Sequence, residues 1–83
     1  MMTEAQIYDA LSSIFKDVFA RNDLVLRAGT SAKDIEGWDS LKQIEILVAV
    51  QERCKVKLRT KEIDSLKTVG DLAGLVAQKL AAA

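Results

Sequence analysis

Eighty-three residues suit one small domain, since domains usually run to about 100–150 residues, and that size excludes most enzymes with self-contained active sites. Apolar residues make up 49% of the chain and charged residues 29%, too apolar for a disordered segment, so a folded core is expected. Twelve basic side chains balance twelve acidic ones, which excludes a global field drawing the chain to nucleic acid or anionic membrane.

Proline is absent, aromatics are scarce, and Ala, Leu, Lys, Glu and Ile fill long stretches, a composition that favours helix over sheet. Thr3 followed three residues later by Gln6 is a capping-box pattern, and Ile7, Leu11, Ile14, Phe15, Val18 and Phe19 recur on one helical stripe. This predicts a helix of about residues 4–20. From Arg21 to Asp39 the period fades, Gly29, Thr30, Ser31 and Gly37 appear, and Leu24, Val25, Leu26, Ile35 and Trp38 are the residues expected to pin the segment to a core. Loops beyond about 12–15 residues are uncommon inside compact domains and often functional, so what this one delivers matters.

It delivers Gly37-Trp38-Asp39-Ser40-Leu41. Asp39 is placed to cap a helix that starts at Ser40 and runs to about Cys54. At about 100° per residue, Ile46, Leu47, Val50 and Cys54 share one face, the expected core stripe. Leu41, Ile44 and Val48 fall nearly opposite, which fits either a helix packed between two neighbours or an interaction surface.

Arg53, Lys55, Lys57, Arg59 and Lys61 then alternate with other residues at period two. A lone strand cannot build a sheet, so the segment reads as an extended connector that tucks in Val56 and Leu58 and points its charges outward. Thr60 is placed to cap a short third helix ending near Leu66. Thr68 caps the last helix, with Val69, Leu72, Ala73, Val76 and Leu80 inward, and Ala81–Ala83 are expected to fray. The expected fold is therefore all-α, a small four-helix bundle with three main helices, one short third helix and a long loop after the first, in a single domain spanning 1–83.

Without histidine, and with Cys54 as the single thiol, the chain lacks the commonest general base and cannot assemble a cysteine–histidine zinc site. No catalytic constellation and no metal site are expected. One cysteine also forms no intramolecular disulfide, which points to a cytoplasmic address, and Cys54 itself reads as a small buried hydrophobe rather than a reactive thiol. The aliphatic run from Ile46 to Val50 falls far short of the roughly 20 residues a bilayer span needs, and Glu4 and Asp9 interrupt the amino terminus, so no stable membrane insertion and no signal peptide are expected.

Three main helices and a short one, with the Asp39-Ser40-Leu41 tripeptide after a long loop at the start of the second helix, resemble the acyl carrier protein family. Val56, Leu58, Ile63 and the Thr68-Val69 restart follow in family order, and the resemblance covers roughly Ile7 to Leu80. It implies that Ser40 carries covalent 4'-phosphopantetheine, attached from coenzyme A by a separate magnesium-dependent phosphopantetheinyl transferase. Acyl groups would then be held as thioesters on the arm's terminal thiol, making the protein a non-catalytic carrier. Asp39 would be read by the transferase beside its metal. The expected partners are that transferase and acyl-loading, condensing or acyl-transfer enzymes, which would read the second helix through Leu41, Lys42, Ile44, Glu45, Val48 and Glu52; no nucleic acid is expected, and the chain should be a monomer.

Two features depart from the family. Typical members are strongly acidic along the second helix, whereas residues 39–67 here hold seven basic and five acidic side chains, so this recognition side reads as not acidic and a dedicated pathway in lipid or secondary metabolism is expected. Cys54 also stands where a bulkier aromatic is common. Two alternatives remain open from the residues: a peptidyl carrier, although Gly37-Trp38 does not match the usual Gly-Gly, and a helical adaptor without a prosthetic group that would use the basic strip from Arg53 to Lys61. Five cations without an interleaved aromatic make a weak nucleic-acid signal.

Overall fold

The computed structural model describes residues 2–82. Helix α1 (Glu4–Phe19) opens with the capping box: the Gln6 amide donates to Thr3 Oγ1 at 3.2 Å and the Thr3 amide to Gln6 Oε1 at 2.8 Å. It ends one residue earlier than the pattern predicts. Ala20 adopts the left-handed conformation (φ 53°), and the Arg21 amide reaches back to the Lys16 carbonyl at 3.0 Å, satisfying an orphan acceptor of the last turn. Ile7, Leu11, Ile14 and Phe15 are buried, with Val18 and Phe19 half-buried beside them.

Helix α2 (Ser40–Cys54) lies against α1 and buries Ile46, Leu47, Val50 and Cys54, the stripe its periodicity marks. Burial holds the Cys54 thiol above its ordinary pKa, in keeping with an inert core residue. Lys55, in the left-handed region (φ 55°), turns the chain out of the helix. The extended connector spans residues 56–59 rather than beginning at Arg53, which is still helical. Val56 and Leu58 are buried, and the Leu58 amide donates to Gln51 Oε1 at 2.9 Å.

Helix α3 (Thr60–Asp64) is shorter than the residues suggest, and Arg59 rather than Thr60 occupies its N-cap. The reason is Glu62, whose Oε1 accepts from the Arg59 amide at 3.1 Å and so closes the first turn one residue early. At the other end the Ser65 hydroxyl takes the Glu62 carbonyl and a tight turn from Leu66 to Ile63 replaces further helix. Helix α4 (Val69–Ala82) packs on α1. The Asp71 amide donates to Thr68 Oγ1, while the Lys67 and Thr68 amides donate to the Asp71 carboxylate and hold it below the usual carboxylate pKa range. Ala81 and Ala82 continue this helix, where fraying was expected; Ala83 lies outside the described residues.

The α1–α2 loop is pinned to the start of α4. The Val69 amide donates to the Thr30 carbonyl at 2.8 Å and the Gly70 amide to Ala28 at 2.9 Å, with a single β-bridge between Ser31 and Thr68. Ile35 is buried and Leu24, Leu26 and Trp38 pack on the core. Val25, expected to help anchor the loop, is 73% exposed, because the side chains on either side of it in an extended segment already face inward. Among the described residues the architecture is thus all-helical around one apolar core, with no buried polar or charged side chain.

Candidate functional site

Gly37 turns the loop into α2. Its φ of +87° lies in the region that favours glycine, and it sets Trp38, Asp39 and Ser40 at the helix entrance. The Trp38 ring stands edge-on to Phe15, with centroids 5.2 Å apart, and also meets Phe19 at 6.2 Å, so the entrance is anchored in the core. Asp39 is the N-cap: Oδ1 accepts from the Lys42 amide at 2.9 Å, and its carbonyl takes the Gln43 amide.

Ser40 follows as the first helical residue, exposed, and its hydroxyl has no hydrogen-bond partner among the described residues. The Ser40 and Leu41 amides belong to the helix end whose N–H groups have no intrahelical acceptor, and no acidic side chain lies in the first turn. A phosphodiester on Ser40 Oγ would meet the Ser40 and Leu41 N–H groups and the positive end of the helix dipole, with the Asp39 carboxylate on the Lys42 amide as an opposing charge. Below it lies an open cleft of about 530 Å³ between α2 and α3, lined by Ser40, Ile44, Thr60, Ile63 and Leu66 among others. The residues present therefore fit a phosphate-linked arm: a reachable hydroxyl, an anion-compatible helix end and space beside it for what the arm bears.

The outward face of α2 carries Leu41 (64% exposed), Ile44 (50%) and Val48 (47%), flanked by the exposed carboxylates of Glu45 and Glu52. Its two cations are both engaged in bonds. Lys42 Nζ donates to the Val18 carbonyl at 3.2 Å and pairs with Glu45 at 3.2 Å. Arg53 reaches Ser13 Oγ and Asp17 Oδ2 on α1, each at 2.6 Å. Counting charges along the segment therefore misplaces Arg53, which pairs with α1, while Lys42 reaches the Val18 carbonyl and stays paired with Glu45 at the edge of this face. The basic side chains exposed on the connector, Lys55, Lys57 and Arg59, leave the face of α2 altogether.

Sequence reasoning missed Gln43. Its Oε1 accepts from Trp38 Nε1 at 2.5 Å and its Nε2 donates to the Ile63 carbonyl at 3.2 Å, joining the loop, α2 and α3. The signal was there: a carboxamide three and four residues before Ile46 and Leu47 sits on the core side of the helix, where a polar side chain needs partners.

Comparison with known proteins agrees with this geometry. Residues 9–76 match the family model described as a phosphopantetheine attachment site. The chain is 30% identical over 81 residues to acyl carrier protein 2 of Ralstonia nicotianae, covering 98% of this chain and 100% of that one. It is 28% identical over 82 residues to an acyl carrier protein of Thermosynechococcus vestitus, with the same coverage. The solution NMR structure of a holo acyl carrier protein from Geobacter metallireducens superposes with a TM-score of 0.84 at 45% identity, over 92% of this chain and 87% of that one. A protein without a prosthetic group is thereby set aside, and the chain belongs to the phosphopantetheine-bearing acyl carrier protein family, whose members are non-catalytic carriers.

Proposed function

We propose that Ser40 is the attachment point of 4'-phosphopantetheine and that the protein ferries acyl groups between enzymes of a lipid or secondary-metabolite pathway. The observation that supports this most is the position of Ser40: an exposed, unpartnered hydroxyl on the first residue of α2, above an open cleft. In the attachment step the Ser40 hydroxyl loses its proton and forms a phosphodiester as the pyrophosphate bond of coenzyme A breaks and adenosine 3',5'-bisphosphate departs. The arm supplies the thiol that holds acyl groups as thioesters. Asp39 holds the helix entrance through its bond to the Lys42 amide, and its outer oxygen is the one proposed to be read by the transferase.

Leu41, Ile44 and Val48, with Glu45 and Glu52 at their edges, are the proposed docking face for the transferase and for acyl-handling enzymes, with Lys42 at its border. An apolar centre edged by the Glu52 carboxylate and the Glu45–Lys42 pair suits partners that present an apolar pocket with a cation at its edge. A single buried thiol suits work in the reducing cytoplasm. The test reads the thiol of the arm. Incubated with coenzyme A, magnesium and a phosphopantetheinyl transferase and then freed of coenzyme A, the native protein should show one fast-reacting thiol towards Ellman's reagent, while Cys54 reacts only on unfolding. No gain in fast thiol would contradict the proposal.

A further inference from the structure

Behind the cleft at Ser40 lies a second, narrow void of about 10 Å³, lined by Ile46 of α2, by Thr68 and by Leu72 of α4 as well as by residues it shares with the cleft. Trp38, Gln43 and Ile63 border both spaces. These are the three residues joined by the Gln43 carboxamide. The orientation of that carboxamide is forced, because an indole N–H only donates and a carbonyl only accepts, so each end of the amide has one possible partner. Trp38 is itself wedged against Phe15 and Phe19, and Ile63 is buried. A void of about 10 Å³ holds no more than one water molecule.

We infer that Gln43 is a specificity-determining bar that keeps cargo in the cleft and out of the apolar core, so that this carrier suits short or polar acyl groups rather than long saturated chains. This rests on the reading of Ser40 as the attachment point. A long chain entering the core would have to break both bonds of Gln43, leaving the half-buried Trp38 N–H without its acceptor, while the Ile63 carbonyl would keep the Leu66 amide. Cargo kept outside meets the Ile44 and Leu66 side chains on one side, but also Thr60, Asp64 and Lys67 at the rim. That mixed lining offers polar acyl groups partners and gives a long alkyl chain little shelter.

The experiment loads the apo-protein with butanoyl- or dodecanoyl-phosphopantetheine from the matching acyl-coenzyme A, verifies attachment by intact mass, and follows thioester cleavage by hydroxylamine. In the wild type the two thioesters should be cleaved at rates within about twofold of each other, since neither chain is buried. In Gln43→Ala the dodecanoyl thioester should be cleaved at least tenfold more slowly than the butanoyl one, because burying as few as two methylenes is worth about that factor. Gln43→Leu, closer in volume, should behave likewise and covers the case that the alanine variant does not fold. A dodecanoyl thioester already protected in the wild type, or equal rates in both variants, overturns the role of Gln43. Failure to load any chain at Ser40 overturns the attachment reading and this inference with it.

Discussion

The Lys42 ammonium donates to the Val18 carbonyl at 3.2 Å, so a residue of the first turn of α2 closes the last turn of α1. That turn has no amide partners for its final carbonyls within the helix, and a cation there is favoured by the dipole. Lys42→Glu would place a carboxylate against the negative end of α1 and lose the bond. The expected result is a loss of about 0.5–1 kcal/mol of stability in urea melts. An unchanged or raised midpoint would show that the ammonium faces solvent instead.

On α2 the inward and outward stripes differ in what truncation should do. Ile44 and Val48 are about half exposed, so Ile44→Ala and Val48→Ala should each move unfolding by less than about 0.5 kcal/mol. Ile46→Ala on the opposite side, fully buried, should cost about 2–5 kcal/mol. Partner affinity should fall in the first two variants if their face docks enzymes, with the transferase as the first partner to measure.

Gly70 and Gly74, one turn apart in α4, should respond in opposite directions. A Cβ on Gly70 would stand 2.7 Å from the Ala28 carbonyl oxygen, backbone that cannot swing aside, and Gly70→Ala should cost about 1–3 kcal/mol. Gly74 has open space where its Cβ would be, and Gly74→Ala should add about 0.5–1 kcal/mol by removing backbone freedom from the unfolded chain. Paired thermal melts check both. Equal effects would show that the loop is not held against α4 as described.

How much of this was legible in the sequence follows the range of the interactions involved. Local signals sufficed for Thr3 and Gln6, for the buried stripe from Ile7 to Phe15, and for Asp39 as the cap before Ser40, because each depends on neighbours within one or two turns. The exposure of Leu41, Ile44 and Val48 was one of two readings, and packing decided it. What sequence could not give depends on distant partners. Lys42 and Arg53 look like surface charges of α2 until α1 is placed beside them, 24 and up to 40 residues away. Gln43 looks like a misfit on a core stripe until Trp38 and Ile63 arrive from other elements. Val25 was misread because a short apolar run in a loop does not say which of its members turns inward.

The most direct test of the account is the intact mass of the wild type and of Ser40→Ala after incubation with coenzyme A, magnesium and a phosphopantetheinyl transferase. Ser40 is exposed and its hydroxyl holds nothing in place among the described residues, so the alanine variant should fold with an unchanged melting profile. The account predicts that the wild type gains the mass of one phosphopantetheine and that Ser40→Ala gains none. A folded Ser40→Ala protein that still takes up the group, or a wild type that never does, would contradict it.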